Sequence, residues 1–261
     1  MTNAIILAAG SGSRLRPYTD DKPKCMVPLS GIPLIERQLA ALKTAGITDV
    51  TVIVGYRSEA FQYLGLPLVV NPHWETTNMV ETLFCAESVL TDDTIVAYAD
   101  IVYEPRVITA LMAAPHEVSV VVDTGWRSYW QHRFTNPLDD AESLRLDEKG
   151  RIIDIGNKVN CIDDIEAQYI GLMRYRGAGI PILKDTRAAI GHVFRPWMAK
   201  RPLEKAYMTD LLMEMVLMGH PPHAVPIDHG WIEIDTVTDY ESAQKMIADG
   251  SITRFYQPFP A

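Results

Sequence analysis

Residues 3–24 read NAIILAAGSGSRLRPYTDDKPK, and the architecture follows from them. Asn3 to Ala9 is apolar almost throughout and stops at Gly10, the pattern of a short strand buried on both faces. Gly10 and Gly12 come directly after it, with Arg14, Arg16, Lys22 and Lys24 in the same loop. Glycines at that position let the backbone approach a phosphate closely and offer its N–H groups to the oxygens. The four cations suit the charge of a polyphosphate. A bare Gly-x-Gly would be read as a turn with solvated charges; the whole string outweighs that reading. It is neither of two common nucleotide motifs. Leu15 stands where the dinucleotide fingerprint needs its third glycine, and no Gly-Lys-Ser/Thr ending makes a P-loop.

Working outward, apolar strands alternate with amphipathic helices. Helical spacing runs over Pro33 to Ala45, and Asp49 to Gly55 and Leu66 to Asn71 read as strands. Asn78 with Glu81 forms a capping box for a helix over Met79 to Leu90. Thr94 to Asp100 is a strand ending in an acid, Pro105 to Ala113 a helix, and Glu117 to Asp123 a strand. The rhythm then changes to a hairpin, Ser143 to Asp147 and Arg151 to Ile155, before a strand at Ala167 to Tyr175. Helices near Ile180 to Ile190 and Thr209 to Met218 follow, the second spaced as a buried, methionine-rich core helix. Trp231 to Asp235 is a late strand, followed by a helix that Thr238 and Glu241 would cap. The pattern predicts an α/β fold: a Rossmann-like, mostly parallel twisted sheet with helices on both faces and a small hairpin insertion. Ligands of such sheets collect at the carboxyl ends of the strands, where the glycine loop and Asp100 lie.

Composition narrows the function classes. The 261 residues carry 24 lysines and arginines against 33 acids, a formal charge of −9, and no basic run suited to a nucleic-acid backbone. Cys25, Cys85 and Cys161 are scattered without zinc or redox spacing, which fits a reducing compartment. Met1 to Leu7 does not read as an ordinary signal peptide and no apolar run reads as bilayer-spanning, so a cytoplasmic protein acting on neither nucleic acid nor membrane is expected. The length suits one domain over 1–261, with a nucleotide-binding half at 1–123 and an acceptor-binding half at 124–250; homo-oligomer formation is left open.

Leu7 to Lys24 resembles the signature LAAGxGxRLxPxTxxxPK of the sugar-phosphate nucleotidyltransferase superfamily. The chain is more narrowly similar to its cytidylyltransferase branch, which acts on phosphocholine, aminoethylphosphonate and phosphoglutamine. That likeness rests on Thr77-Asn78-Met79, Tyr98 to Tyr103, Arg133 to Glu142, Gly156-Asn157-Lys158, Glu166 to Gly171 and Glu233 to Thr236. The resemblance implies CTP and a small phosphorylated or phosphonylated acceptor as substrates, pyrophosphate as product and Mg²⁺ as cofactor. It assigns Lys24 to the α-phosphate and Arg14 to the β- and γ-phosphates. Asp100 and Asp235 become metal ligands, against the ordinary reading of a strand-end acid as a cap. Leu7, Ala8, Ala9, Gly10, Ser11, Gly12, Gly55, Asn78, Thr82 and Ala99 would surround the nucleotide, although capping alone also accounts for Asn78.

For the acceptor, Lys158 would meet the phosphoryl group, and Glu166 and Tyr169 the other end. Trp130 and Trp231, with Trp126 and Tyr129 nearby, would form a cage for an ammonium group; a place in the core is the commoner fate of such rings. The alternatives are a sugar-1-phosphate uridylyl- or thymidylyltransferase and a non-catalytic nucleotide-binding relative. The second predicts loss of a lysine or metal acid, yet Arg14, Lys24, Asp100 and Asp235 are all present.

Overall fold

The computed structural model describes residues 1–192 and 201–258. In chain order its strands are β1 (Asn3–Ala8), β2 (Pro28–Leu29), β3 (Ile32–Pro33), β4 (Val50–Val54), β5 (Leu68–Val70), β6 (Asp93–Tyr98), β7 (Ile101–Tyr103), β8 (Val118–Asp123), β9 (Glu142–Leu146), β10 (Ile152–Lys158), β11 (Gln168–Arg176), β12 (His223–Ile227) and β13 (Trp231–Glu233). Its α-helices are α1 (Leu34–Thr44), α2 (Met79–Phe84), α3 (Pro105–Ala113), α4 (Trp126–Arg133), α5 (Gly179–His192), α6 (Met208–Leu217) and α7 (Val237–Asp249).

Seven strands form the central sheet in the order β12-β8-β11-β6-β1-β4-β5. All neighbours run parallel except β11, which lies antiparallel to both β6 and β8. Side chains of β1 alternate between the faces: Ala4, Ile6 and Ala8 join the cluster holding α1, α3 and α7, while Ile5 and Leu7 join the one holding α2, α5 and α6. This period of two explains why β1 reads as an unbroken apolar run. The sheet is therefore sandwiched as its sequence implies. The methionine-rich helix α6 is core, with Met208, Leu211, Leu212 and Met215 fully buried.

Local details depart from the sequence reading where a tertiary partner wins over a local one. The helix after Asn78 stops at Phe84 and does not reach Leu90. Asn78 does cap it, accepting from the Met79 N–H at 2.8 Å, but Glu81 is drawn away by Arg187 of α5 at 3.0 Å. The cap of α7 is Thr236 with Asp239, two residues before the expected pair. Helix α4 and edge strand β12 were not legible from periodicity. The hairpin pairs β9 with β10, and β13 pairs antiparallel with β7 outside the main sheet.

Candidate active site

A cleft of about 250 Å³ opens at the carboxyl ends of β1 and β6. The end of β1 and the glycine loop line it with Leu7, Ala8, Ala9, Gly10, Gly12, Ser13 and Arg14, and α2 with the segment leading into it contributes Trp74, Thr77, Asn78, Met79 and Thr82. Tyr98, Ala99, Asp100, Lys24, Cys25 and Asp235 complete the lining. Eight of the ten residues expected around a nucleotide thus share one cleft. Ser11 and Gly55 are outside it. Gly55 acts from behind: a Cβ there would come within 2.6 Å of the Trp74 Cβ and 2.7 Å of the Ala9 carbonyl oxygen. Only glycine therefore lets the Trp74 wall pack against the end of β1.

Lys24 lies at the centre of the charges. Its Nζ is 2.8 Å from Asp100 Oδ2 and 2.5 Å from Asp235 Oδ1, and Arg14 Nη1 reaches Asp235 Oδ2 at 2.6 Å. Burial alone would lower the Lys24 pKa, but Asp100, Asp235 and Glu233 outweigh it and hold the ammonium above the ordinary lysine value. Gly12 makes this placement available. Its φ of +63° is left-handed, its carbonyl accepts from Thr19 Oγ1 at 2.9 Å, and a Cβ there would lie 2.7 Å from the Lys24 Cβ.

The two strand-end acids meet because β7 and β13 form an antiparallel ribbon. Ile101 faces Glu233 in the register, and the Ile234 N–H donates to the Asp100 carbonyl at 2.9 Å. The ribbon brings in a third carboxylate, Glu233, and oxygens of Asp100, Glu233 and Asp235 lie within 4.8 Å of one another. Burial, with Asp100 and Asp235 alongside, pushes the Glu233 carboxyl up to about 7, against the pull of Arg133 and Lys24. Asp100 Oδ1 is buried and has no hydrogen-bond partner among the described residues. An orphaned carboxylate oxygen within an oxygen-only trio suits a hard divalent cation. Asp123, Asp228 and His229 form another cluster tight enough for an ion. Both Asp123 oxygens, however, already accept hydrogen bonds, from Gly125, His229 and Trp231.

Glu233 and Trp74 were missed in the sequence. Glu233 had a signal, since it sits two residues before Asp235 in the strand expected over Trp231 to Asp235, where such a pair shares a face. Trp74 had none.

The acceptor residues are not gathered as expected. Tyr169 packs edge-on against the cleft-lining Tyr98, with ring centroids 5.7 Å apart. Lys158 is exposed at the end of β10, opposite Glu142. Glu166 is exposed and accepts from the Leu146 N–H at 3.2 Å, away from the cleft. The tryptophan cage needs correction. Trp130 and Trp231 are 4% and 2% exposed, with indole N–H groups donating to Asp140 and Asp123. The aromatics do surround a cation, but it is the chain's own: the Arg133 guanidinium carbon lies 5.5 Å from the Tyr129 and Trp130 rings and 4.9 Å from that of Phe134.

A glycine-rich loop whose cations Arg14 and Lys24 are ion-paired to the strand-end acids of one cleft is the equipment of a nucleotidyltransferase. Residues 4–192 match the model of the MobA-like NTP transferase domain, and the chain belongs to that family. Within it the chain falls in the cytidylyltransferase-like branch. It is 39% identical over 251 residues to a CTP:phosphoglutamine cytidylyltransferase of Campylobacter jejuni, covering 92% of this chain and 98% of that one. A 2-aminoethylphosphonate cytidylyltransferase of Lancefieldella rimae is 33% identical over 161 residues, covering 59% of this chain and 61% of the relative. Among solved structures, the CTP:phosphocholine cytidylyltransferase from Streptococcus pneumoniae shares the fold, with a TM-score of 0.71 at 23% identity over 94% of this chain and 99% of that one. Among the described residues no helix is long and apolar enough to cross a membrane.

Proposed function

We propose that this nucleotidyltransferase joins CMP from CTP to a small phosphorylated acceptor carrying an amide or amine, with Mg²⁺ as cofactor and pyrophosphate as product. The observation that carries the reading is the Lys24 ammonium, shared by Asp100 and Asp235 at the mouth of the glycine-loop cleft. An acceptor phosphoryl oxygen attacks the α-phosphorus, the bond to the bridging oxygen breaks, and pyrophosphate leaves with the electron pair. Both reactants are anions, so the chain's main tasks are alignment and charge stabilisation. Lys24 would exchange its carboxylate contacts for the α-phosphate, where charge builds up. Arg14, largely exposed at the rim, would follow the β- and γ-phosphates and hold the departing product. Asp100, Asp235 and Glu233 would hold the Mg²⁺, which supplies further neutralisation of the phosphates. Residues 1–123 would serve mainly the nucleotide and 124–250 mainly the acceptor.

Phosphoglutamine is favoured as acceptor. A relative named for it matches over nearly the whole chain, and the aromatic box that would suit a trimethylammonium group is filled by Arg133. Pyrophosphate release should be measured with four nucleoside triphosphates against phosphoglutamine, phosphocholine, aminoethylphosphonate and glucose-1-phosphate. CTP with phosphoglutamine should be fastest. Chelation should stop the reaction, and added Mg²⁺ should restore it. Faster turnover of glucose-1-phosphate with UTP or dTTP would replace this reading with that of a sugar nucleotidyltransferase.

A further inference from the structure

Arg133 ends α4 with its side chain only 4% exposed. Nη1 donates to Glu233 Oε2 at 2.5 Å, Nε to Asp239 Oδ1 at 2.9 Å and Nη2 to Asp239 Oδ2 at 3.1 Å. Asp239 Oδ2 accepts in turn from the backbone N–H groups of Asp235, at 3.2 Å, and Thr236, at 2.9 Å. One guanidinium therefore grips the side chain of Glu233 directly and the backbone of Asp235 through a single carboxylate. Three aromatic rings leave it little freedom to turn. A fork with fixed donor directions, held this tightly, fixes the direction of whatever it binds.

We infer that Arg133 is a positioning residue for the divalent cation site, aiming Glu233 and Asp235 at the ion that Asp100 shares with them. This rests on the metal reading above. The bland alternative is a buried ion-pair cluster that stabilises the fold and nothing more. The two differ in sign as well as size. Removing a positive charge beside a cation site would by Coulomb's law alone strengthen cation binding. Losing the aim of two ligands weakens it, and partners behind metal ligands are typically worth about 10- to 100-fold in affinity.

The test is Mn²⁺ binding to the nucleotide-free protein, by electron paramagnetic resonance of the free ion, in wild type, Arg133→Met and Arg133→Lys. Circular dichroism reports the folded fraction. Arg133→Met should bind Mn²⁺ about 10- to 100-fold more weakly. Arg133→Lys keeps the charge but loses the fork, so it should also weaken binding, by a smaller factor. If Arg133→Met does not fold, Arg133→Lys carries the test, because any loss in it cannot come from net charge. Unchanged or tighter Mn²⁺ binding in either folded variant would overturn the positioning role. If the wild type binds Mn²⁺ only once CTP has drawn Lys24 away from Asp100 and Asp235, the same comparison is made with CTP present. No Mn²⁺ binding beyond that of CTP alone would overturn the metal reading and this inference together.

Discussion

At the residue scale, Lys24 is fixed in place by Asp100 and Asp235, and on the proposed reading it would leave them for a phosphate. Replacing it with methionine should leave the fold intact and lower kcat by about 100- to 1000-fold, the usual loss for one preorganised electrostatic group. Near-normal turnover by the folded variant would remove Lys24 from the mechanism. Glu142 offers a test by pH. Burial pushes its carboxyl up to about 7, with Asp140 and Asp210 adding to the shift and Arg201 and the Thr209 hydroxyl opposing it. The folded chain thus holds a proton that the unfolded chain gives up near pH 4.5. This group's contribution to stability therefore falls as pH rises from about 4.5 to 7. Glu142→Gln should raise the melting temperature at pH 8 more than at pH 5; equal shifts at both would show that Glu142 titrates normally. Single residues were legible where a motif fixed their spacing, as for Arg14, Lys24 and Asp100. The tryptophans were misread for a physical reason. Rings and acids in one segment look the same in sequence whether the cation they enclose is a ligand or a nearby arginine.

At the element scale, the helices and strands of the sheet were legible because burial on two faces leaves long apolar runs. Their ends were less so. Caps are chosen by three-dimensional competition, and Arg187 takes Glu81 while Arg133 and Thr236 share Asp239. The Thr236 cap joins helix α7 to the turn carrying Asp235, so its loss should be felt in both. Thr236→Ala should cost about 0.5–2 kcal/mol in urea unfolding, the range for such caps; no change in the midpoint would show that Asp239 suffices alone. The Trp74 wall gives a second test. Gly55→Ala should raise the KM for the nucleotide by more than that for the acceptor, since the added methyl meets Trp74 and the Ala9 carbonyl. An equal rise in both would mean that the wall serves both substrates.

At the scale of the whole molecule, the acidic trio depends on a ribbon outside the main sheet, and residues 250–258 brace that ribbon. The Phe255 carbonyl accepts from the N–H groups of Gly230, at 2.7 Å, and Trp231, at 3.2 Å, and Glu104 accepts from the Gln257 N–H at 2.8 Å. The motifs that carry the resemblance end at Thr236 and no expected site residue lies in this segment, so the brace could not be read from sequence. Ending the chain after Asp249 should therefore lower both the melting temperature and the Mn²⁺ affinity. A truncated protein with wild-type metal affinity would show that the ribbon stands without its brace.

The ion pair between Lys24 and Asp235 spans 211 positions of the chain, and that separation has a consequence for synthesis. The ribosome releases the glycine loop and its cations early, and Asp235 only after most of the protein has been made. On the proposed reading, the emerging polypeptide would for most of translation own the half that meets polyphosphate and lack the half that would anchor the ion. Activity should therefore switch on abruptly, late in elongation, when the ribbon brings Asp235 beside Asp100 and Lys24.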